Sequence, residues 1–266
     1  PHRGVAGEPL DAAGLNAYTM LNQGLKGYVL LGLEPEFDSV HGAGALTTLK
    51  QADFVVSLSA YRTEAMESYA DVILPIALFA ETSGTYVNGE GRWQSFSGAV
   101  TPPGEARPAW KILRVLGNLF KLNGFEYTAS DQVCEELRQQ VGDKTAQNKT
   151  AWQIPSALTV EPAKGLQRIT EMPIYSVDAL VRRAGALQQT TDAKIAKGVH
   201  INSQVAAQLS FNDGSQVQVT QNGTNVTLPV VIDERVPDEG VLLYAGQADH
   251  IELGAWSGQV ELGAVA

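Results

Sequence analysis

Three short aliphatic runs most constrain what this chain can fold into: YVLLGL over Tyr28 to Leu33, DFVVSL over Asp53 to Leu58, and DVILPI over Asp71 to Ile76. They run apolar rather than alternating with polar residues, so each reads as a strand buried on both faces, the pattern of a parallel sheet. A Gly/Ala-rich helical pattern from Ser39 to Gln51 lies between the first two, and a polar bridge lies between the second and third. Strand, crossover, strand predicts an α/β unit. Three strands make a thin sheet, since open α/β sheets carry about five or six. Residues 1–27 add only a short helical pattern at Ala12 to Leu21. The missing strands are expected upstream of Pro1, which is not Met and reads as a cut from a longer chain.

The segment after the sheet, Ala80 to Arg107, carries Gly84, Gly89, Gly91, Gly98, Pro102, Pro103 and Gly104 and reads as a loop. It is too long for an ordinary connection, so a functional or interface role is expected. Pro108 suits a first helical position, and Trp110, Leu113 and Leu116 recur at helical spacing up to Leu122. Residues 126–195 are more polar: Ser130 can cap a helix carrying Val133, Leu137 and Val141, Gly142 to Lys149 reads as an exposed loop, and Ser176 can cap a helix from Val177 to Ala184 bearing Arg182 and Arg183. From Val199 the period becomes two, in Val199 to Ile201, Ser215 to Thr220, Thr224 to Ile232 and Val241 to Ala245. Asn222-Gly223 between two of these runs is a strong hairpin signal. The expected division is an α/β portion over 1–125, a helical linker over 126–195 and a β domain over 196–266.

Composition removes several function classes. The chain has 19 Lys plus Arg against 29 Asp plus Glu, a net charge of −10 and a pI near 4.9. A nucleic-acid partner, which demands the opposite balance, is not expected. One cysteine, Cys134, cannot build a disulfide, a thiolate zinc site or an iron–sulfur cluster within the chain. No apolar run approaches the roughly 20 residues that cross a bilayer, so no direct membrane insertion is expected.

Candidate chemistry is sparse. His2, His41, His200 and His250 lack metal-ligand spacing and read as structural or surface residues. Gly42-Ala43-Gly44 superficially matches a dinucleotide fingerprint, but its third glycine would fall at Thr47 and the motif lies far from the strand end; a packed small-residue helix is the better reading. Cys134 sits beside Glu135 and Glu136, whose charge opposes a reactive thiolate. Ser57, Ser59 and Ser83 lack a nucleophile elbow. No catalytic and no metal-binding residue is expected. The informative stretch is Ala70 to Gln94, a buried strand whose carboxyl end runs into a loop bearing Glu81, Thr82, Thr85, Asn88, Glu90 and Arg92 among glycines. It reads either as a ligand-binding edge or as a glycine-shaped loop packed on neighbouring protein.

That stretch resembles the molybdopterin oxidoreductase family, whose pattern A-D-V-x-L-P followed by E-x-x-G-T-x-x-N-x-E-G-R-x-Q stands here as Ala70 to Pro75 and Glu81 to Gln94. The β domain is similar to that family's C-terminal barrel, with Val199-His200-Ile201 leading to a turn at Asn212-Asp213-Gly214. The resemblance implies an α/β fold: a Rossmann-like parallel-sheet portion, a helical linker and a small β-barrel of double-psi type. Within the family, Tyr61 to Ala65 and Asp178 to Arg183 resemble the branch found in respiratory complex I, which keeps the fold and lacks the molybdenum cofactor.

Two departures agree with that branch. Where molybdenum enzymes of the family carry G-x-N-P after the first strand, this chain has Gly32-Leu33-Glu34-Pro35, a carboxylate in place of a neutral amide; where they carry T-E-T, it has Thr63-Glu64-Ala65. The resemblance thus implies a structural C-terminal portion of a large peripheral-arm subunit, with no cofactor of its own and a relic pocket at Glu34, Glu81, Thr85, Asn88 and Arg92. The implied partners are the N-terminal half of the same subunit, holding the iron–sulfur clusters, and other peripheral-arm subunits, on the cytoplasmic side of a bacterial inner membrane. The alternative is the cofactor-binding half of a molybdopterin-dependent enzyme, with Thr85, Asn88 and Arg92 lining the pterin. A third reading is an isolated small-molecule binding protein with a Rossmann-like fold.

Overall fold

The computed structural model describes residues 14–142 and 164–265. Helix α1 (Ala17–Gln23) starts at Asn16, whose side chain accepts from the Thr19 N–H. It leads into β1 (Gly27–Leu31), α2 (Pro35–Asp38), α3 (Gly44–Lys50), β2 (Phe54–Ser59), α4 (Glu64–Glu67) and β3 (Val72–Pro75). The strands pair in parallel in the order β1-β2-β3, aligning Val29 with Val56 and Val56 with Val72. The Asp71 carboxylate pins the start of β3 by accepting from the Val55 N–H at 2.7 Å.

Tyr28, Leu30, Val55 and Ile73 pack with Leu21, Ala45, Leu49 and Met66 of the helices in one cluster. Because the strand order advances in one direction, right-handed crossovers place α3 and α4 on the same face. The opposite face is open over much of its area: Val29, Leu31 and Phe54 are half exposed or more and Val72 is also exposed, although Leu58, in register with Leu31, is buried. The reading of strands buried on both sides holds for the carboxyl end of β2 and is corrected for β1 and the start of β2, which are buried on one side and present apolar side chains on the other.

The helix expected from Ser39 to Gln51 begins only at Gly44, as α3, and α2 lies ahead of that span. Between them Gly42 takes φ +52°, and a Cβ there would lie 2.4 Å from the Ile251 carbonyl oxygen. The next amide, Ala43 N–H, donates to that same carbonyl at 3.1 Å. Gly42 is therefore a close-approach glycine against the turn at Ile251–Leu253 and Gly254, which corrects the packed-helix reading of Gly42-Ala43-Gly44.

The segment 80–107, read as a loop, contains an antiparallel hairpin of β4 (Gly84–Val87) and β5 (Trp93–Phe96). Tyr86 and Phe96 stack with their ring centroids 5.1 Å apart. Helix α5 (Ala109–Leu119) follows Pro108 as expected, and α6 (Ser130–Val141) presents Val133, Leu137 and Val141 half-buried. Ser130 does not cap α6; its hydroxyl instead hydrogen-bonds that of Ser83 at 2.8 Å. The loop expected at 142–149 lies outside the described residues beyond Gly142.

The segment read as a helical linker supplies a strand to the second sheet, β6 (Gln167–Ile169), before the short helices α7 (Ala179–Arg183), α8 (Gly185–Gln188) and α9 (Thr191–Ile195). Asp178, not Ser176, caps α7, accepting from the Leu180 and Val181 N–H groups at 2.8 and 2.9 Å. Then come β7 (Val199–Ile201), α10 (Ser203–Leu209), β8 (Gln216–Gln221), β9 (Thr224–Ile232), β10 (Gly240–Leu242), β11 (Gly258–Gln259) and β12 (Glu261–Ala264). The sheet order is β11-β6-β10-β7-β9-β8-β12.

Strands β11 and β12 are separated by Val260 alone, yet they pair with opposite edges of this sheet, β6 and β8. One nearly continuous segment therefore curls the sheet into a nearly closed barrel. Its interior holds Val199, Ile201, Val217, Val219, Leu228, Val230, Val241 and Leu243, each at most 1% exposed. The hairpin at Asn222-Gly223 forms as read, pairing Val217 with Leu228 and Val219 with Val226.

Candidate functional site

In α/β proteins the carboxyl ends of parallel strands are where ligands bind, and the polar groups of this sheet gather there. After β1, Gly32 turns with φ +61° and its N–H donates to Leu58 at 2.8 Å. Pro35 then opens α2, leaving Glu34 in the capping position, where its side chain makes no cap to its own helix. Its carboxylate is instead 2% exposed and aimed at α7.

From α7, Arg182 donates to Glu34 Oε2 through Nε at 3.2 Å and Nη2 at 2.9 Å. Its Nη1 reaches Asp38 Oδ1 at 3.0 Å and the Ser176 carbonyl at 2.9 Å. Arg183 grips the same carboxylate with both ends of its fork, Nη1 on Oε2 at 3.1 Å and Nη2 on Oε1. Asp38 closes the ring by accepting from the Glu34 N–H at 2.7 Å. Each guanidinium also lies over an aromatic ring, Arg182 over Phe37 at 5.0 Å and Arg183 over Tyr61 at 4.4 Å.

A third carboxyl group, Glu36, is 4% exposed, and its Oε2 has no partner. Burial, reinforced by the charges of Glu34 and Asp38, pushes its pKa above the ordinary carboxylate value. Burial first, then Glu36 and Glu34, likewise raise the Tyr69 phenol. Chemically, the arrangement binds two guanidiniums to one carboxylate and ties the helix ahead of the barrel to the end of the parallel sheet.

A second feature is a cleft of about 1070 Å³ between the hairpin, α6 and the start of α5. Thr85 links two of its walls: its hydroxyl hydrogen-bonds Ser95 Oγ at 3.0 Å and lies 3.5 Å from Cys134 Sγ, to which it donates. Glu81 borders this cleft, but its carboxylate accepts from the Leu78 N–H at 2.9 Å and so holds the backbone turn. Asn88 builds the hairpin tip, its Oδ1 accepting from Glu90 and Arg92 N–H groups at 3.0 and 2.9 Å.

The five residues read as a relic pocket therefore do not converge. Glu34 belongs to the ion cluster, Glu81 and Thr85 to the cleft, and Asn88 and Arg92 to the exposed tip. Sequence reasoning missed the cluster's cationic half, although an Arg-Arg pair at the end of a short helix and an unexpected Glu after a strand were both visible. Among the described residues no three His, Cys, Asp or Glu side chains gather to hold a metal. His200 and His250 are buried in the barrel region and His41 stacks on Tyr18 at 4.9 Å, in keeping with structural roles.

The sequence model of the molybdopterin oxidoreductase family matches residues 8–119. Those residues are similar to that family, and the parallel sheet with a nearly closed barrel is the mixed α/β fold found in it. The acetylene hydratase of Pelobacter acetylenicus shares this fold with a TM-score of 0.65 at 15% identity, over 90% of this chain and 44% of that one. The assimilatory nitrate reductase catalytic subunit of Bacillus subtilis is 33% identical over 141 residues, 51% of this chain and 20% of that protein. The mitochondrial NADH-ubiquinone oxidoreductase 78 kDa subunit of Candida albicans is 59% identical over 49 residues, 18% of this chain and 7% of that protein. The chain thus spans a fifth or less of the length of these two relatives.

Proposed function

We propose that this chain is the structural C-terminal portion of the large peripheral-arm subunit of a bacterial NADH:quinone oxidoreductase, respiratory complex I, and that it carries no redox centre itself. In this reading NADH oxidation and the iron–sulfur clusters belong to the N-terminal half and to other peripheral-arm subunits, at the cytoplasmic side of the inner membrane. The observation that carries the reading is the Glu34 cluster. A phosphate-bearing cofactor does not fit that strand end as built, because Arg182 and Arg183 are already engaged by carboxylates and Glu34 would face the phosphates. The open apolar face of the parallel sheet supports a role in packing against other protein, since parallel sheets are covered on both faces. The short but strong likeness to a complex I subunit points the same way.

A second reading, the cofactor-binding half of a molybdopterin-dependent oxidoreductase, is favoured by the longer match to a nitrate reductase. Metal analysis of the purified protein, together with acid release of any pterin fluorophore, separates the two. The scaffold reading expects neither molybdenum nor tungsten and no fluorophore; stoichiometric metal or a released pterin overturns it.

A further inference from the structure

We propose that Arg182 and Arg183 form an oxyanion site at the carboxyl end of β1 which the chain fills with its own Glu34 carboxylate, so that removing this carboxylate opens the site to phosphate-type anions. Glu34 receives two guanidiniums, one of which, Arg182, it shares with Asp38. Its two oxygens accept from four guanidinium nitrogens, and Arg183 engages both oxygens in fork-to-fork fashion. Paired forks converging on one oxyanion are the geometry by which arginine recognises phosphate as well as carboxylate.

The cations are held without help from Glu34. Phe37 and Tyr61 lie against the two guanidinium groups, the Ser176 carbonyl and Asp38 fix Arg182, and the Ala179 carbonyl accepts from Arg183. The site is therefore preorganised, and a guest would not have to order two long side chains. Solvent reaches it, because the Arg183 side chain is 33% exposed while Glu34 is 2% exposed. Glu34 makes no cap to its own helix, so its side chain is spent on the arginines. The proposal goes beyond the functional reading above and concerns the arginine pair whatever larger enzyme contains the chain.

Chemical rescue tests it on the full 266-residue chain. Glu34→Ala removes both charge and volume. Its thermal midpoint should fall and be restored by inorganic phosphate or pyrophosphate, measured against chloride at matched ionic strength. Pyrophosphate should bind this variant at least about ten-fold more tightly than the unaltered chain, a difference of about 1.4 kcal/mol. Adding Arg182→Ala should cancel the gain. Should Glu34→Ala not fold, Glu34→Gln, which removes the charge and keeps the volume, should show a smaller gain of the same sign. Equal anion responses in the variant and the unaltered chain, a gain that survives Arg182→Ala, or no gain in Glu34→Gln where Glu34→Ala cannot be measured would each overturn the proposal. The metal and pterin analysis can fail independently of all three.

Discussion

Replacing Gly42 by alanine places a methyl group where the parallel sheet's unit meets the barrel. At φ +52° a residue with a Cβ costs about 1–2 kcal/mol from backbone conformation alone. The new atom would lie 2.4 Å from the Ile251 carbonyl oxygen and 3.2 Å from Gly254 Cα, an approach that one backbone must relieve by withdrawing. Withdrawal stretches the 3.1 Å hydrogen bond from Ala43 N–H to that carbonyl, and a buried group left unpaired costs about 1–3 kcal/mol more. The expected total is roughly 2–5 kcal/mol. Gly44→Ala is the comparator, because a Cβ there meets nothing within 4 Å and the residue opens α3. It should be neutral or stabilising by about 0.5–1 kcal/mol. Urea unfolding of both variants, followed by tryptophan fluorescence, reads the difference as a shift in midpoint at constant slope. If Gly42→Ala loses no more stability than Gly44→Ala, the close approach is not what fixes that glycine.

Two further outcomes follow from the same structure. At the Asn222-Gly223 turn both residues have positive φ, 50° and 81°, and a Cβ at Gly223 meets open space, so Gly223→Val should cost about 1–3 kcal/mol through conformation alone and Gly223→Asn less; a Val variant melting with the unaltered chain would remove the turn argument. Glu36 has a folded-state pKa above its unfolded value, so the folded state holds the extra proton and stability falls as pH rises from the ordinary carboxylate range through the raised pKa. Glu36→Gln should therefore raise the melting temperature at neutral pH and flatten its fall above pH 4.5, and an unchanged profile would refute the burial argument.

What the sequence disclosed, and what it hid, divides along physical range. The barrel hairpin was legible because Asn222-Gly223 and the alternation on either side of it are local, and its register follows from them. The parallel strands were legible because their aliphatic runs are uninterrupted. The β4–β5 hairpin carries the same Asn-Gly signal at Asn88-Gly89, but Glu90-Gly91 lengthens its turn and the surrounding glycines look like loop. Strand β6 is three residues, Gln167 to Ile169, inside a polar segment; its partners at Gly240 to Leu242 and Gly258 to Gln259 supply the pairing that its own composition does not announce. The ion cluster was half legible: Glu34 stood out as a departure, but nothing local says that Arg182 and Arg183 come to meet it.

The segment from Gly258 to Ala264 also sets an order of events during synthesis. Until it is made, the backbone groups along one side of β6 and one side of β8 have no strand to pair with, and both are templates for another chain. The pairing of Gly258 with Arg168 spans most of the C-terminal half of the chain, so closure comes late and waits for a distant partner. A truncation or a proline within those few residues would thus unzip two seams at once. It would leave a sheet whose interior valines are otherwise intact but which is prone to join its neighbours edge to edge.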